Sequence, residues 1–410
     1  MNTFEFTPAT QAELARFVAE NSVNERRTLC PVGGRTALHY GFSAPDPGAF
    51  IAMSELGRVV DYPARDMTIT VEAGMRMDAL QSTLATERQR LPIDIAQAER
   101  ATLGGALATN TSGPRRFGHG TFRDYVIGIS AVDADGRLFK AGGRVVKNVA
   151  GYDICKLLVG SRGTLAIVTQ VTLKLRPMTE TSAQLWMTAD SFDEIERRLE
   201  LMLTSETRPV AIEVLNAPAA ALIASSARTE LQADSPVLCV GFEGSLAEVN
   251  WQLESLTREL NTTGIRTCCE VRDHNADRIW ESLTEFQTCA DDPLTFEANL
   301  RPSRSIEFAK RATELGVAVQ VHAGNGQVVG QLLEETSTID QSTAILNELR
   351  KLARSQGGNL VVLHCDSDWK SRMPMCGDSE SSWPLMKQLK RQLDSQSLLN
   401  PGRFIDGAAV

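Results

Sequence analysis

Along the first 177 residues the apolar pattern switches repeatedly between helical and strand periods. Leu14, Phe17 and Val18 recur at helical spacing behind Thr10-Gln11-Ala12-Glu13, which fits a capping box. The short apolar run 28–32 predicts a strand that stops in Gly33-Gly34-Arg35-Thr36. Short β-like pieces follow at 50–53, 58–62 and 67–72. Residues 75–88 predict a helix with Met77, Leu80 and Leu84 on one face, and 91–95 a short strand or extended approach. Thr102-Leu103-Gly104-Gly105 opens a small helix through Leu107, and 109–113 is a polar loop. Asp135-Gly136, between two apolar runs, predicts a hairpin turn. Residues 147–159 predict a loop entering a short helix, 160–163 a turn and 164–174 a long strand closed by Pro177.

Beyond Pro177 strand-like and helical stretches alternate. Helices are predicted over 191–204, 217–227, 245–261, 274–286 and 340–355, with another starting at Ser303. The strand-like pieces between them include PVAIEVLN, VAVQVHAG, GQVVGQLL and NLVVLH. Such a mix, with antiparallel strands, predicts a ferredoxin-like α+β region, in which no internal repeat is legible. A last helix from Ser382 sets Trp383, Leu385, Met386 and Leu389 on one side, with Lys387, Lys390 and Arg391 interleaved as a solvated charged face.

A chain of 410 residues predicts two or three domains. With 42% hydrophobic and 23% charged residues the composition is that of an ordinary globular protein, and a net charge of -9 argues against a nucleic-acid partner. No apolar run is long enough to span a membrane, and the N-terminus lacks the basic and apolar regions of a secretory signal. The expectation is a cytoplasmic protein whose membrane contact, if any, runs through a partner. None of the eight cysteines forms a C-x-x-C pair, so free thiols are expected, with no metal and no iron–sulfur cluster on this chain.

Candidate chemistry lies in the glycines, of which 18 of 30 fall before residue 177. Three clusters, at 33–34, 104–105 and 160–163, adjoin strand-like sequence. Glycine lets backbone N–H groups approach an anion, so together they suggest one long ligand with a phosphate core; ordinary tight turns are the other reading. Arg35 fits either a phosphate contact or a solvated side chain.

The stretches GGRT, ATLGGALATNTSGP and KNVAGYDICKLLVGSRGTLAIVTQVTLKLRP, closed by LLNPGRF, resemble the vanillyl-alcohol oxidase or PCMH-type FAD-binding family. Within it they resemble the smaller flavin-binding subunits, the E type, of bacterial glycolate oxidases. The resemblance implies a PCMH-type two-subdomain FAD-binding domain over 1–177, an α+β cap over 178–380, and a segment 381–410 returning to the FAD domain. It implies non-covalent FAD. Gly33, Gly34, Arg35 and Thr36 would meet the pyrophosphate. Thr102, Gly104, Gly105, Asn110, Ser112 and Gly113 would line the pyrophosphate, ribityl and flavin side, and Gly163, Thr164 and Ile167 the adenosine half. His39, three residues past GGRT, is where a covalent flavin link would be sought. The implied partners are a larger flavin-binding glycolate oxidase subunit and an iron–sulfur subunit.

Catalytic residues are less legible. Relatives acting on 2-hydroxy acids carry HAGDGN-x-H and Glu-His-Gly signatures. Here VHAGNGQVV keeps only His322, and VVLHC offers His364 without the Glu-His-Gly. His119, between Gly118 and Gly120, is either near the flavin or a solvated loop histidine. His119, His322 and His364 are therefore candidate bases, with Arg301 or Arg304 for a substrate carboxylate. Three readings follow: a cofactor-binding subunit with glycolate chemistry mainly in a partner, a self-sufficient dehydrogenase of a small 2-hydroxy acid, and a binding module that has lost flavin.

Overall fold

The computed structural model describes residues 4–42, 48–143, 152–260, 267–288, 293–333 and 338–405. They fall into two compact units. One comprises Met1–Thr111, Thr121–Met178 and Asp378–Val410; the other comprises Ser112–Gly120 and Thr179–Gly377.

The first unit begins with β1 (Phe4–Phe6), α1 (Gln11–Val23), β2 (Leu29–Val32) and β3 (Ala49–Ala52), whose strands form a parallel sheet in the order β1-β3-β2. The Thr10 hydroxyl accepts from Glu13 N–H at 3.1 Å, while the Glu13 carboxylate takes the Ala9 N–H at 2.9 Å, one residue earlier than a capping box requires. Leu14 and Val18 of α1 are buried against Leu29, Ile51 and Leu56. The chain continues through β4 (Val59–Asp61), β5 (Thr68–Glu72), α2 (Met77–Ala85), β6 (Gln89–Arg90), α3 (Leu103–Thr109), α4 (Arg116–His119, part of the second unit) and α5 (Phe122–Tyr125). It then runs through β7 (Val126–Val132), β8 (Leu138–Gly142), α6 (Ile154–Leu158), β9 (Ile167–Lys174) and β10 (Arg176–Pro177). An antiparallel sheet, β4-β5-β9-β7-β8, packs Ile69, Val71 and Val171 against Leu80, Leu103 and Phe122.

Residues 91–95, expected as a short strand or an extended approach, lie outside any strand, and the Gln81 side chain bonds both the N–H and the carbonyl of Leu91. One expectation changes here. The strand expected from Thr164 starts at Ile167, since 161–164 forms a turn in which Thr164 N–H bonds the Ser161 carbonyl at 3.0 Å. Residues 147–151 of the predicted loop lie outside the described residues.

The second unit contains β11 (Thr181–Thr188), α7 (Phe192–Met202), β12 (Ala211–Leu215), α8 (Ala217–Ser226), β13 (Val237–Gly244), α9 (Leu246–Leu260), β14 (Thr267–Arg272) and α10 (Asp273–Glu285). It continues with β15 (Leu294–Asn299), α11 (Ser305–Glu314), β16 (Ala318–His322), β17 (Gln327–Leu332), α12 (Ile339–Ser355) and β18 (Asn359–Cys365). Its 8-stranded sheet has the order β14-β11-β13-β12-β16-β17-β15-β18, antiparallel throughout. The second half is a βαββαβ unit and the first is the same with α8 added between its second and third strands; each sets its fourth, first, third and second strands side by side, the ferredoxin-like order. The halves join where β12 pairs β16. The cap is therefore a structural repeat that the sequence conceals: α8 separates β12 from β13 in the first half, whereas a tight hairpin joins β16 to β17 in the second. α8 and α10 pack on the face carrying Trp186, Ala211, Leu215 and Cys239.

The chain then returns to the first unit through α13 (Trp383–Leu393). Leu399 forms a parallel bridge with Leu29, extending the sheet at β2.

Candidate functional site: a glycine-walled cleft and a polar cap face

A cleft opens in the first unit. Gly33, Gly34, Arg35, Thr36, Thr102, Gly104, Gly105, Gly163 and Ile167 line it. Its walls meet too closely for side chains at the glycines. A Cβ on Gly33 would lie 1.9 Å from the Thr102 hydroxyl, and one on Gly34 1.6 Å from the Arg100 carbonyl oxygen. Thr102 also caps α3, accepting from Gly105 N–H at 3.4 Å, so the two loops form one wall.

The charge of the cleft is positive. Arg35, Arg162 and Arg403 line it, and no carboxylate does among the described residues. Arg35 leans on the Phe50 ring at 5.0 Å and reaches Glu5 at 2.7 Å, an exposed pair that leaves its net effect small. Burial, with the charge of Arg162 beside it, lowers the Arg403 guanidinium from its ordinary value. Burial pushes the neighbouring Cys30 thiol up, against the pull of Arg403 and Arg35.

Asn110 and Thr164 do not line the cleft. Asn110 ends α3 at φ 54°, and its Oδ1 is buried without a hydrogen-bond partner. Thr164 is buried beneath the loop, its hydroxyl donating to the Ser161 carbonyl at 2.6 Å. Ser112 and Gly113 belong to the second unit, and Ser112 Oγ is likewise buried and unpartnered. His39 sets its ring edge-on to Tyr40, 4.9 Å between centroids, and does not line the cleft. Sequence reasoning missed Asn400 and Arg403 as cleft residues. The tail motif was visible, but which side chains it would bring to the cleft was not.

The second unit holds the candidate histidines. On the face shared by Trp186 and Cys239, the seam and second half carry a polar stripe: Glu213, Gln320, His322, Gln327 and Gln331, all buried. His322 Nδ1 lies 2.9 Å from Glu213 Oε1 and 2.8 Å from Oε2. Burial disfavours its imidazolium, but the charge and hydrogen bond of Glu213, with Glu297 adding, outweigh that and hold His322 above the usual histidine range. The Ser112–Gly120 arm lies on the same unit: Arg116 donates to Gln327 Oε1 at 3.0 Å, and Gly118 N–H to the Val210 carbonyl at 2.9 Å. Arg115 and His119 share Glu243, at 2.7 and 2.9 Å. His364 is half-buried on β18 opposite Thr295. Arg301 and Arg304 stand together at the start of α11, away from this stripe's hydrogen bonds, with Arg304 reaching Glu307 at 3.3 Å.

A positive, glycine-walled cleft suits a pyrophosphate-bearing ligand. Residues 4–142 match the FAD binding domain family, and 180–404 match the C-terminal domain of FAD linked oxidases. The chain belongs to the FAD-linked oxidases. Its cofactor is FAD, and its fold is a PCMH-type FAD-binding domain with a mixed α/β C-terminal cap.

Among curated relatives, it is 25% identical to "Glycolate oxidase subunit GlcD" of Bacillus subtilis, over 97% of this chain and 87% of that one. It is 28% identical to "Glycolate oxidase subunit GlcE" of Escherichia coli, over 84% of each. It is 26% identical to "D-lactate dehydrogenase" of Archaeoglobus fulgidus, over 91% of this chain and 85% of that one. Among solved structures, p-cresol methylhydroxylase matches with a TM-score of 0.75 at 14% identity, covering 97% of this chain and 88% of that one, a likeness of fold. Among the described residues no helix is long and apolar enough to cross a membrane.

Proposed function

We propose that this chain is the FAD-binding subunit, of the E type, of a glycolate oxidase complex, with glycolate oxidation centred on a larger flavin subunit and electrons passed to an iron–sulfur subunit. Its similarity to both kinds of glycolate oxidase subunit, over 97% and 84% of the chain, supports this reading. One observation carries the assignment of chemistry to a partner: VHAGNGQVV keeps one histidine, His322, and its Nδ1 is taken up by Glu213 at 2.9 Å. A base has to reach the proton it removes, so a histidine engaged in this way is a poor candidate. In this reading 1–177 and 381–410 form the FAD domain and 178–380 the cap.

The residues present fit FAD. Gly33, Gly34, Arg35 and Thr36 would hold the pyrophosphate, with Arg162 and Arg403 adding positive charge. Thr102, Gly104 and Gly105 would follow along the ribityl and flavin side, and Gly163 and Ile167 along the adenosine half. Bound FAD supplies an acceptor for the two electrons taken from an alcohol carbon.

The polar cap stripe favours a second reading, a self-sufficient dehydrogenase of a small 2-hydroxy acid. In it Arg116 and a protonated His322 would hold the substrate carboxylate. The test is the visible spectrum of the purified, FAD-loaded chain under anaerobic conditions, before and after glycolate and then D-lactate. A flavin that stays oxidised is the expected result. Bleaching by either acid would overturn the subunit reading in favour of the second.

A further inference from the structure

α13 packs in an unusual sense: its one buried residue is Lys390, while Leu385, Met386 and Leu393 face outward. The Lys390 ammonium is fully engaged. It donates to Asp394 Oδ2 at 2.5 Å, to the Thr164 carbonyl at 2.7 Å and to the Leu399 carbonyl at 3.2 Å. Asp394 in turn accepts the N–H groups of Leu398 and Leu399 at 2.9 and 2.8 Å. Withdrawing such a pair from water is costly, and an apolar pair often packs as stably, so fold stability alone is a weak reason for it.

Its connections supply another reason. Thr164 ends the 161–164 turn, whose Ser161, Arg162 and Gly163 line the cleft. Two residues earlier, the Arg162 carbonyl accepts from Asn400 Nδ2 at 2.6 Å. C-terminal donors thus engage two carbonyl oxygens of this turn, and acceptors so occupied are kept from facing an anion. On the other wall Arg403 bonds the carbonyls of Leu38 and Tyr40.

We propose that Lys390 and Asp394 are positioning residues for FAD, setting the 161–164 turn through the C-terminal segment without touching the cofactor. The inference rests on this cleft being the FAD site. Its test measures the FAD dissociation constant of Lys390→Met, Asp394→Asn and the double variant, by flavin fluorescence, beside the melting temperature of each apoprotein. In the double variant both charges are gone, and Asn keeps an acceptor for one of the Leu398 and Leu399 amides, which Asp394 receives on separate oxygens. Affinity falling by about tenfold or more, with the double variant's apoprotein melting near wild type, is the expected result. Folded variants that bind FAD as wild type does would overturn the inference. So would lowered apoprotein melting with unchanged affinity, which marks a purely structural pair. Hydrogen exchange on the wild-type protein gives a reading that needs no variant: FAD should slow exchange at Leu398 and Leu399, and equal rates with and without FAD would overturn the role. A wild-type chain whose cleft residues are unprotected by FAD would instead overturn the site assignment.

Discussion

Glu213 uses both carboxylate oxygens inside the cap sheet, with His322 Nδ1 close to both and Gln320 Nε2 donating to Oε2 at 2.7 Å. The groups that set the charge of His322 are Glu213 and Glu297, which favour the imidazolium, and Arg116, which opposes it. Because the folded value lies above that of a free histidine, the folded state binds the proton more tightly than the unfolded chain. The stabilisation is complete below the unfolded value, about pH 6.5, and is lost as pH rises through the raised folded value. Wild type should therefore exceed His322→Gln in stability most at about pH 5.5, with the gap narrowing towards about pH 9. Urea unfolding at several pH values reads this directly. A gap that stays flat or widens with pH would mean that His322 is not held charged. The sequence shows His322 at a strand end but hides its partner, because Glu213 lies on another strand and meets it only through the β12–β16 pairing.

At the scale of elements, α10 is fastened to the cap sheet by one large side chain lying over one glycine. A Cβ on Gly241 of β13 would sit 2.2 Å from the Trp280 ring, whose Nε1 donates to Ser182 Oγ at 2.8 Å. The ring also carries a cation: the Arg115 guanidinium lies 5.2 Å from the Trp280 centroid. Gly241→Ala should push Trp280 off the sheet and cost about 1–3 kcal/mol in denaturant unfolding, the usual penalty for overpacking. Tryptophan fluorescence should shift with it; an unchanged midpoint would show that α10 slides without loss. The elements themselves were largely legible, since α2, α3 and most cap strands and helices follow periodicity and caps. Their pairing was not. Period-2 sequence says that a strand has two faces but not which strand it meets, and unequal connections, α8 against the Gly324–Gly326 turn, mask the two equivalent halves. The cleft shows the same divide. Its glycines stood out, because a missing Cβ is written in the residue name. Asn400 and Arg403 lie more than 350 positions from their partners Cys30, Leu38 and Tyr40.

The whole molecule has two units with separate cores, Leu80, Leu103, Phe122 and Val171 in one, and Ala220, Trp186, Ile279 and Val329 in the other. The chain crosses between them at Ser112, Thr121, Thr179 and Asp378, so neither unit is one continuous stretch. The cleft, however, is lined wholly by the first. A ligand that binds only the folded form of a unit stabilises that unit by about 2.7 kcal/mol when present at 100 times its dissociation constant. For a unit of this size such a gain raises the melting temperature by several degrees. Scanning calorimetry of the apoprotein should resolve two transitions, and added FAD should move one upward while leaving the other nearly in place. Limited proteolysis identifies which: FAD should protect sites in the first unit, including those near the C-terminus, which returns to form part of the cleft wall. One transition that moves as a whole would show instead that the units unfold together, so that cofactor loss would destabilise the cap as much as the cleft.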